Sequence, residues 1–376
     1  VVSLAAPLIQ LEASAVEATT SGPGDGGTIR LAGERVALTR ASRVDTSTSG
    51  SGAGGDIEIS GSLSARFEGA GGGVFTNTAG AGAGGDILID AGELTVADRA
   101  VVSAESLAGT AEILAASGAA GDIRIVADTN VLLDSGELRT AAVSGAGGAV
   151  SVAAGNAITI RQGTVSASVA GAQAGGSVSF SAPSIELQDS TVEATTSGSG
   201  AGGTIRMTGD QLLLANGSRV DTSTSSAGAG GLVAIVMQDD VTIDGAGTGV
   251  TSTADGSGRG GDVIVDAAAI TLRSGAAVST SASATGDAGS IALSAVNRLE
   301  VDAASVRSEA VAGRGGSIEL AAEEALVLTN ATVDASVSAG TLPGGVIRLR
   351  GADTQIHATT VQATSNGSGA GGSVEV

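Results

Sequence analysis

Four aspartates hold one recurring place in the chain. Asp56, Asp86, Asp122 and Asp262 each follow a Gly-Gly or Ala-Gly pair and precede Ile or Val. A column of carboxylates could hold a hard cation, since Ca²⁺ takes about six to eight oxygen ligands. The same place is held elsewhere by Thr28, Ala149, Ser177, Thr204, Leu232 and Ser290, so the column is interrupted. The spacing also differs from the Gly-Gly-x-Gly-x-Asp calcium repeat. The expectation is that these carboxylates satisfy turn backbone groups. Calcium is the alternative, and no other cofactor is expected.

Catalytic chemistry has thinner support. Glycosidases need two carboxylates flanking a scissile bond, and such pairs could arise almost anywhere in this chain. An aromatic platform is missing, because the sequence has no Trp or Tyr. The one histidine, His357, follows Ile356 and is expected to point outward. No nucleophile elbow and no phosphate-binding glycine loop is present. The reading is a protein that is not an enzyme, with a polysaccharide-active enzyme kept as an alternative.

The aspartates sit in a larger pattern. The second glycine of the pair falls at 27, 55, 85, 121, 148, 176, 203, 231, 261, 289, 316, 345 and 372. The intervals are 27–30 residues, with one of 36. A fixed period in this range means stacked repeats. Each repeat holds three short apolar alternations. The first follows the glycines (Ile57/Ile59, Ile87/Ile89, Ile205/Met207), and the second comes a few residues later (Leu94/Val96, Leu212/Leu214). The third centres on one aliphatic residue, such as Val44, Val192, Val220 or Val278. Alternation of period two is a half-buried strand, and no stretch has helical spacing over about ten residues. Gly, Ser, Asn and Asp cluster between the strands, as turns require.

A unit this small cannot bury its apolar side alone, and stacking each strand on its equivalent in the next repeat does so. The predicted fold is all-β: a parallel β-helix, right-handed, with three strands per rung, about 28 residues per rung and about 13 rungs. At about 4.8 Å per rung this would be a rod roughly 60 Å long. Val44, Val192, Val220, Val278, Ile57, Ile87 and Ile205 are the expected core. Gly55, Gly85, Gly203 and Gly261 are the expected turn residues, serving positive φ and close rung packing. The chain is read as one continuous β-helix over 1–376, with a loop insertion near 110–118 that accounts for the long interval. Blocks recur at an offset of 176 residues: Val16–Gly22 returns as Val192–Gly198, and Ser42–Thr48 as Ser218–Thr224.

There are 39 acidic residues against 18 basic ones, for a net charge of −21, and every basic residue is Arg. That balance argues against nucleic acid, which wants a basic stripe, and against anionic lipid. No Cys is present, so disulfides and thiolate metal sites are excluded. No run reaches the ~18 apolar residues of a membrane span. Thr-rich β-helix faces can template ice, but charges interrupt the outward third-strand pairs. Phe75 and Leu88 are expected to face outward in neighbouring rungs and offer a possible lateral contact between rods. Val2-Ser3-Leu4 and Val374-Glu375-Val376 share one phase of the repeat. This predicts end-to-end self-stacking or a segment of a longer β-helix.

Two stretches carry a resemblance: Ser49-Gly50-Ser51-Gly52-Ala53-Gly54-Gly55-Asp56-Ile57, and Gly92 through Ala104 with its Leu94-Thr95-Val96 and Val101-Val102 alternations. They resemble the glycine-rich repeats of filamentous-haemagglutinin-like, two-partner-secretion bacterial exoproteins. The resemblance extends over the whole chain and implies export, a β-helical filament at the cell surface, and a role in adhesion or matrix building. The amino-terminal secretion domain of that family is not recognisable. The functional expectation is a structural segment of an extracellular filament or adhesin. A rod that binds glycan or a protein partner on one face is the runner-up.

Overall fold

The computed structural model describes residues 1–107 and 118–376. They form a parallel β-solenoid of about 13 turns, with about 28 residues per turn and no helix among the described residues. The insertion expected near 110–118 lies outside the described residues except for Gly118, on which a Cβ would sit 1.8 Å from the Gly82 carbonyl oxygen of the preceding turn.

The turns fall into two compact units, Val1–Glu186 with Ser190–Glu193, and Leu187–Asp189 with Ala194–Val376. In the first unit, Ile29, Ile57, Ile87, Ile123, Val150 and Val178 stack in exact parallel register. Val16, Val44, Val74, Val102, Leu138, Val165 and Val192 form its third-strand column. In the second unit, Ile205, Val233, Val263, Ile291, Ile318 and Ile347 stack likewise, and Val220, Val250, Val278, Val306 and Val333 continue as a third column. All seven expected core residues are 0–1% exposed. The cause is the two-residue period. Each strand sends alternate side chains inward, and identical phase in every turn places aliphatic on aliphatic.

Two features depart from the simple strand–turn repeat. In four turns the first and second strands are continuous: Ile29–Thr39, Ile57–Glu68, Asp262–Arg273 and Ser290–Asp302. The extra residues there are absorbed by register shifts, between Gly33 and Arg35 and between Ala267 and Ala269. A one-residue bulge bends a strand without breaking its ladder. Beyond the third strand, single parallel bridges also link the turns, through Thr20, Thr48, Thr78 and Ser106 in the first unit and Thr224, Ala254, Ala282, Ala310 and Val337 in the second.

The corner between second and third strands uses a left-handed residue that is rarely glycine. Ala13, Ser135, Gln162, Asn216, Ser274, Ala303, Asn330 and Ala358 have φ of 46–61° there. Asparagine adopts this conformation at lower cost than alanine. Ala303→Asn keeps the backbone bond from its N–H to the Thr329 carbonyl and should raise stability by about 0.5–1 kcal/mol. A denaturant midpoint shift at constant slope would measure it.

Candidate functional site: the polar groove of the third ladder

The third strands are only three residues long, and regular pairing thins out after each. Alternate N–H groups there leave the ladder, and each still needs an acceptor. Outward side chains supply it. Asp45 Oδ1 accepts from the Ser47 N–H at 2.8 Å, and Ser47 Oγ accepts from the Asn77 N–H of the next turn at 3.1 Å. Asn77 Oδ1 accepts from the Glu105 N–H at 2.8 Å. The second unit repeats the scheme. Asp221 Oδ1 accepts from Ser223 N–H at 2.8 Å, and Ser223 Oγ from Thr253 N–H at 2.9 Å. Ser336 Oγ accepts from Thr364 N–H at 3.0 Å.

This face is concave. Outward residues that the alternation alone would leave exposed are largely covered: Asp45 7%, Ser103 1%, Glu105 6%, Ser166 6% and Asp334 4% exposed. Two hollows lie along it, one in each unit. The first, about 440 Å³, is lined by Arg43, Asp45, Ser47, Asn77 and their loop neighbours. The second, about 310 Å³, is lined by Ser281, Glu309, Asp334, Ser336, Gln362 and theirs. The Glu105 carboxylate lies 3.5 Å from Arg139 Nε, and Arg43 lies 2.7 Å from Asp45.

Behind this face runs a column of buried hydroxyls that the sequence reading did not single out. Thr46 Oγ1 donates to the Gly55 carbonyl at 2.5 Å, and Thr76 Oγ1 to the Gly85 carbonyl at 2.6 Å. In the second unit Thr222 and Ser252 relay to the Gly231 carbonyl, and Thr280 and Ser308 to the Gly289 carbonyl. The signal is present as Val-x-(Thr/Ser) in Val44–Thr46, Val74–Thr76 and Val220–Thr222. Thr76→Val keeps the shape but leaves a buried carbonyl without a partner. It should cost about 1–3 kcal/mol, read as a lowered urea midpoint.

The post-glycine aspartates are placed together in part. Asp56 Oδ1 accepts from the Asp86 N–H at 3.0 Å, Asp86 Oδ1 from the Asp122 N–H at 2.9 Å, and Asp122 Oδ1 from the Ala149 N–H at 2.8 Å. Asp262 stands apart from them in the second unit; it accepts from Ser290 N–H at 3.2 Å and pairs with Arg259. Each carboxylate thus bonds the backbone of the turn stacked next to it. Among the described residues no group of three or more acidic or histidine side chains is arranged to hold a metal ion. Asp86→Ala should cost about 1 kcal/mol, equally with calcium or with a chelator in the buffer. A thermal melt in both buffers checks this.

Two expectations need correction. Of the two reasons expected for the glycines of the pair, positive φ does not hold, because Gly55, Gly85, Gly203 and Gly261 are not among the residues with positive φ, while close rung packing does. Close packing is their reason: a Cβ on Gly55 would sit 1.8 Å from the Gly27 carbonyl oxygen, and one on Gly85 would sit 2.1 Å from that of Gly55. Phe75 was expected to stand exposed beside Leu88. It is 8% exposed, with the Arg43 guanidinium 4.1 Å over its ring. Leu88 is 36% exposed but belongs to the first-strand ladder, between Glu58 and Arg124, so the two residues do not form one patch. In the second unit Val236, Ile264 and Val296 are individually more exposed than Leu88. Of these, Val236 has a sequence signal, the unbroken apolar run Leu232–Met237. His357 is exposed on its strand. No helix among the described residues is long and apolar enough to cross a membrane.

These features define a class: a β-solenoid repeat protein whose polar face is organised turn by turn. Comparison with known proteins finds no matching family model, no matching characterised sequence and no matching solved structure.

Proposed function

We propose that the chain is a non-catalytic structural segment of an extracellular or cell-surface bacterial filament or adhesin, in which the solenoid serves as a stiff spacer. The observation that carries this reading is the use made of the groove's polar groups. Asp45, Ser47, Asn77, Asp221, Ser223 and Ser336 all bond backbone N–H groups within or between turns. Binding and catalytic sites instead leave convergent polar groups for the ligand. The glycine-rich repeats that resemble haemagglutinin-like exoproteins point the same way. The acidic surface, at net −21, suits a solvated, self-repelling segment.

A second reading, a groove that grips a hydroxyl-rich glycan, draws on the 310 and 440 Å³ hollows. Screening the purified chain against a panel of bacterial and host polysaccharides separates the two. The spacer reading expects no saturable binding and no cleavage products, together with stepwise resistance in single-molecule stretching. Saturable binding that Asn77→Ala abolishes would replace it with the second.

A further inference from the structure

Where the first strand meets the second, four successive turns of the second unit leave a hollow of about 440 Å³. Val236, Asp266, Ser294 and Ala321 stack in register along it, one from each turn. Apart from Gln238, Asp266, Ser294 and Glu323 its lining is apolar: Val236, Met237, Val296 and five alanines. A bulge lies within it. Ala267 pairs with Ala295 and Ala269 with Arg298, so Val296 and Asn297 stand together against Ala268. A bulge of this kind leaves a residue unpaired and re-aims a side chain. Val236 is 44% exposed and Val296 51%. The volume falls in the range of ~300–1,000 Å³ usual for ligand pockets, and an apolar concavity open to solvent marks a contact surface.

Acidic residues border this hollow. Asp266 and Glu323 line it, Asp239 and Asp240 follow Gln238, and Glu324 follows Glu323; all five are exposed. None of the five is in an ion pair among the described residues. Arg298, two residues beyond Val296, is taken by Glu300 at 3.0 Å. An occupant therefore meets apolar surface at the centre and uncompensated negative charge around it. Asp239 and Asp240 belong to the first of the four turns, Glu323 and Glu324 to the last. Turns stack about 4.8 Å apart, so the four span roughly 14 Å, the reach of about five extended residues.

We propose that this hollow docks a short extended segment of a partner protein, with aliphatic side chains at its centre and Lys or Arg at both ends. The aliphatic centre lies against Val236, Val296 and the alanines, and burial there supplies most of the affinity. One cationic end answers Asp239 and Asp240, the other Glu323 and Glu324. These charges set partner choice and speed encounter more than they add affinity. A second copy of the chain is a poorer occupant. It carries a net charge of −21 and no Lys, and hollow against hollow would set five carboxylates facing five. The hollow shares no residue with the groove of the third ladder, and the inference does not depend on the spacer reading.

Fluorescence anisotropy on the full chain tests it. The probes are a panel of fluorescein-labelled peptides of about five residues, with Lys or Arg at both ends and Ala, Val, Leu or Ile between. Saturable binding is expected, and the same peptides with Glu at both ends should bind at least ~10-fold more weakly. Raising salt from about 0.05 M to about 0.5 M should weaken the cationic peptides. Val236→Ser with Val296→Ser should weaken them at least ~10-fold, since it removes the apolar anchors. Both valines are exposed, so this chain should melt like wild type. If it does not, Glu323→Gln with Glu324→Gln replaces it and should also weaken binding. Leu63→Ser, at a 51% exposed position of the first unit, should leave binding unchanged. No saturable binding across the panel, equal binding of the Glu-ended peptides, or binding that the hollow variants leave intact would overturn the proposal. So would a dimer of the chain alone, seen by sedimentation, that the double valine variant dissociates, since the occupant would then be a second copy.

Discussion

Val220→Asp is expected to cost about 4–5 kcal/mol, a large share of the ~5–15 kcal/mol that holds a typical domain together. Val220 is completely buried, and its neighbour in the column is Val250, also completely buried. The buried hydroxyls two residues away on either side are engaged: Ser218 donates to the Ala215 carbonyl, and Thr222 donates to Ser252, which in turn donates to the Gly231 carbonyl. A carboxylate at 220 would therefore meet aliphatic carbon and no free donor, and burying a charge without a partner is among the largest single penalties available. Such a group stays protonated well above its ordinary range. The deficit is accordingly smallest in acid and grows as pH rises, the sign of a folded-state pKa lying above the unfolded one. Val220→Ala is the control. It removes only packing, at roughly 2 kcal/mol, with no pH dependence. Urea midpoints of both variants at acidic and neutral pH would separate charge from cavity. A Val220→Asp chain as stable as wild type would show that the third strand does not face inward at this position.

How far the sequence foretold this structure depends on how local each cause is. The inward positions were legible because alternation is a property of four or five consecutive residues, and the period repeats it about thirteen times. Ile57, Ile87 and Val44 could be assigned from their own neighbours. The groove was not legible. Asp45 and Ser103 stand on the outward side of the alternation, but their burial comes from residues of neighbouring turns and of the following loop, which lie far away in sequence. Phe75 failed for a related reason: its cover, Arg43, lies 32 residues away in sequence, on the neighbouring turn two register positions off. The left-handed corner was hidden because Ala13, Ala303 and Ala358 occupy it without any of the usual signs. The buried hydroxyl column lay between these cases. Its Val-x-Thr spacing is plain in the sequence, but its purpose becomes visible only when the glycine carbonyls are seen to face inward.

The second large effect concerns those glycines, and three alanine substitutions distinguish the reasons a glycine can be needed. Gly55→Ala should cost about 3 kcal/mol or more. Its Cβ would lie 1.8 Å from the Gly27 carbonyl oxygen and 2.7 Å from the Gly26 and Gly27 carbonyl carbons. All are backbone atoms that cannot rotate aside, so relief requires the two turns to part, and overpacking of this kind is costly. Parting would weaken the bonds that close the corner: Gly55 N–H to the Thr46 carbonyl at 3.0 Å, and the Thr46 hydroxyl to the Gly55 carbonyl. Gly217→Ala meets nothing within 4 Å, but its φ of +84° is left-handed, and the strain should cost about 1 kcal/mol. Gly22→Ala has open space and no positive φ. It should be neutral or stabilising by about 0.4–1 kcal/mol, through the reduced entropy of the unfolded chain. Melting of the three variants under one condition should follow this order. If Gly55→Ala melted like Gly22→Ala, turn-to-turn contact would not be what demands glycine at the head of each repeat. If it melted like Gly217→Ala, backbone strain rather than contact would set the cost.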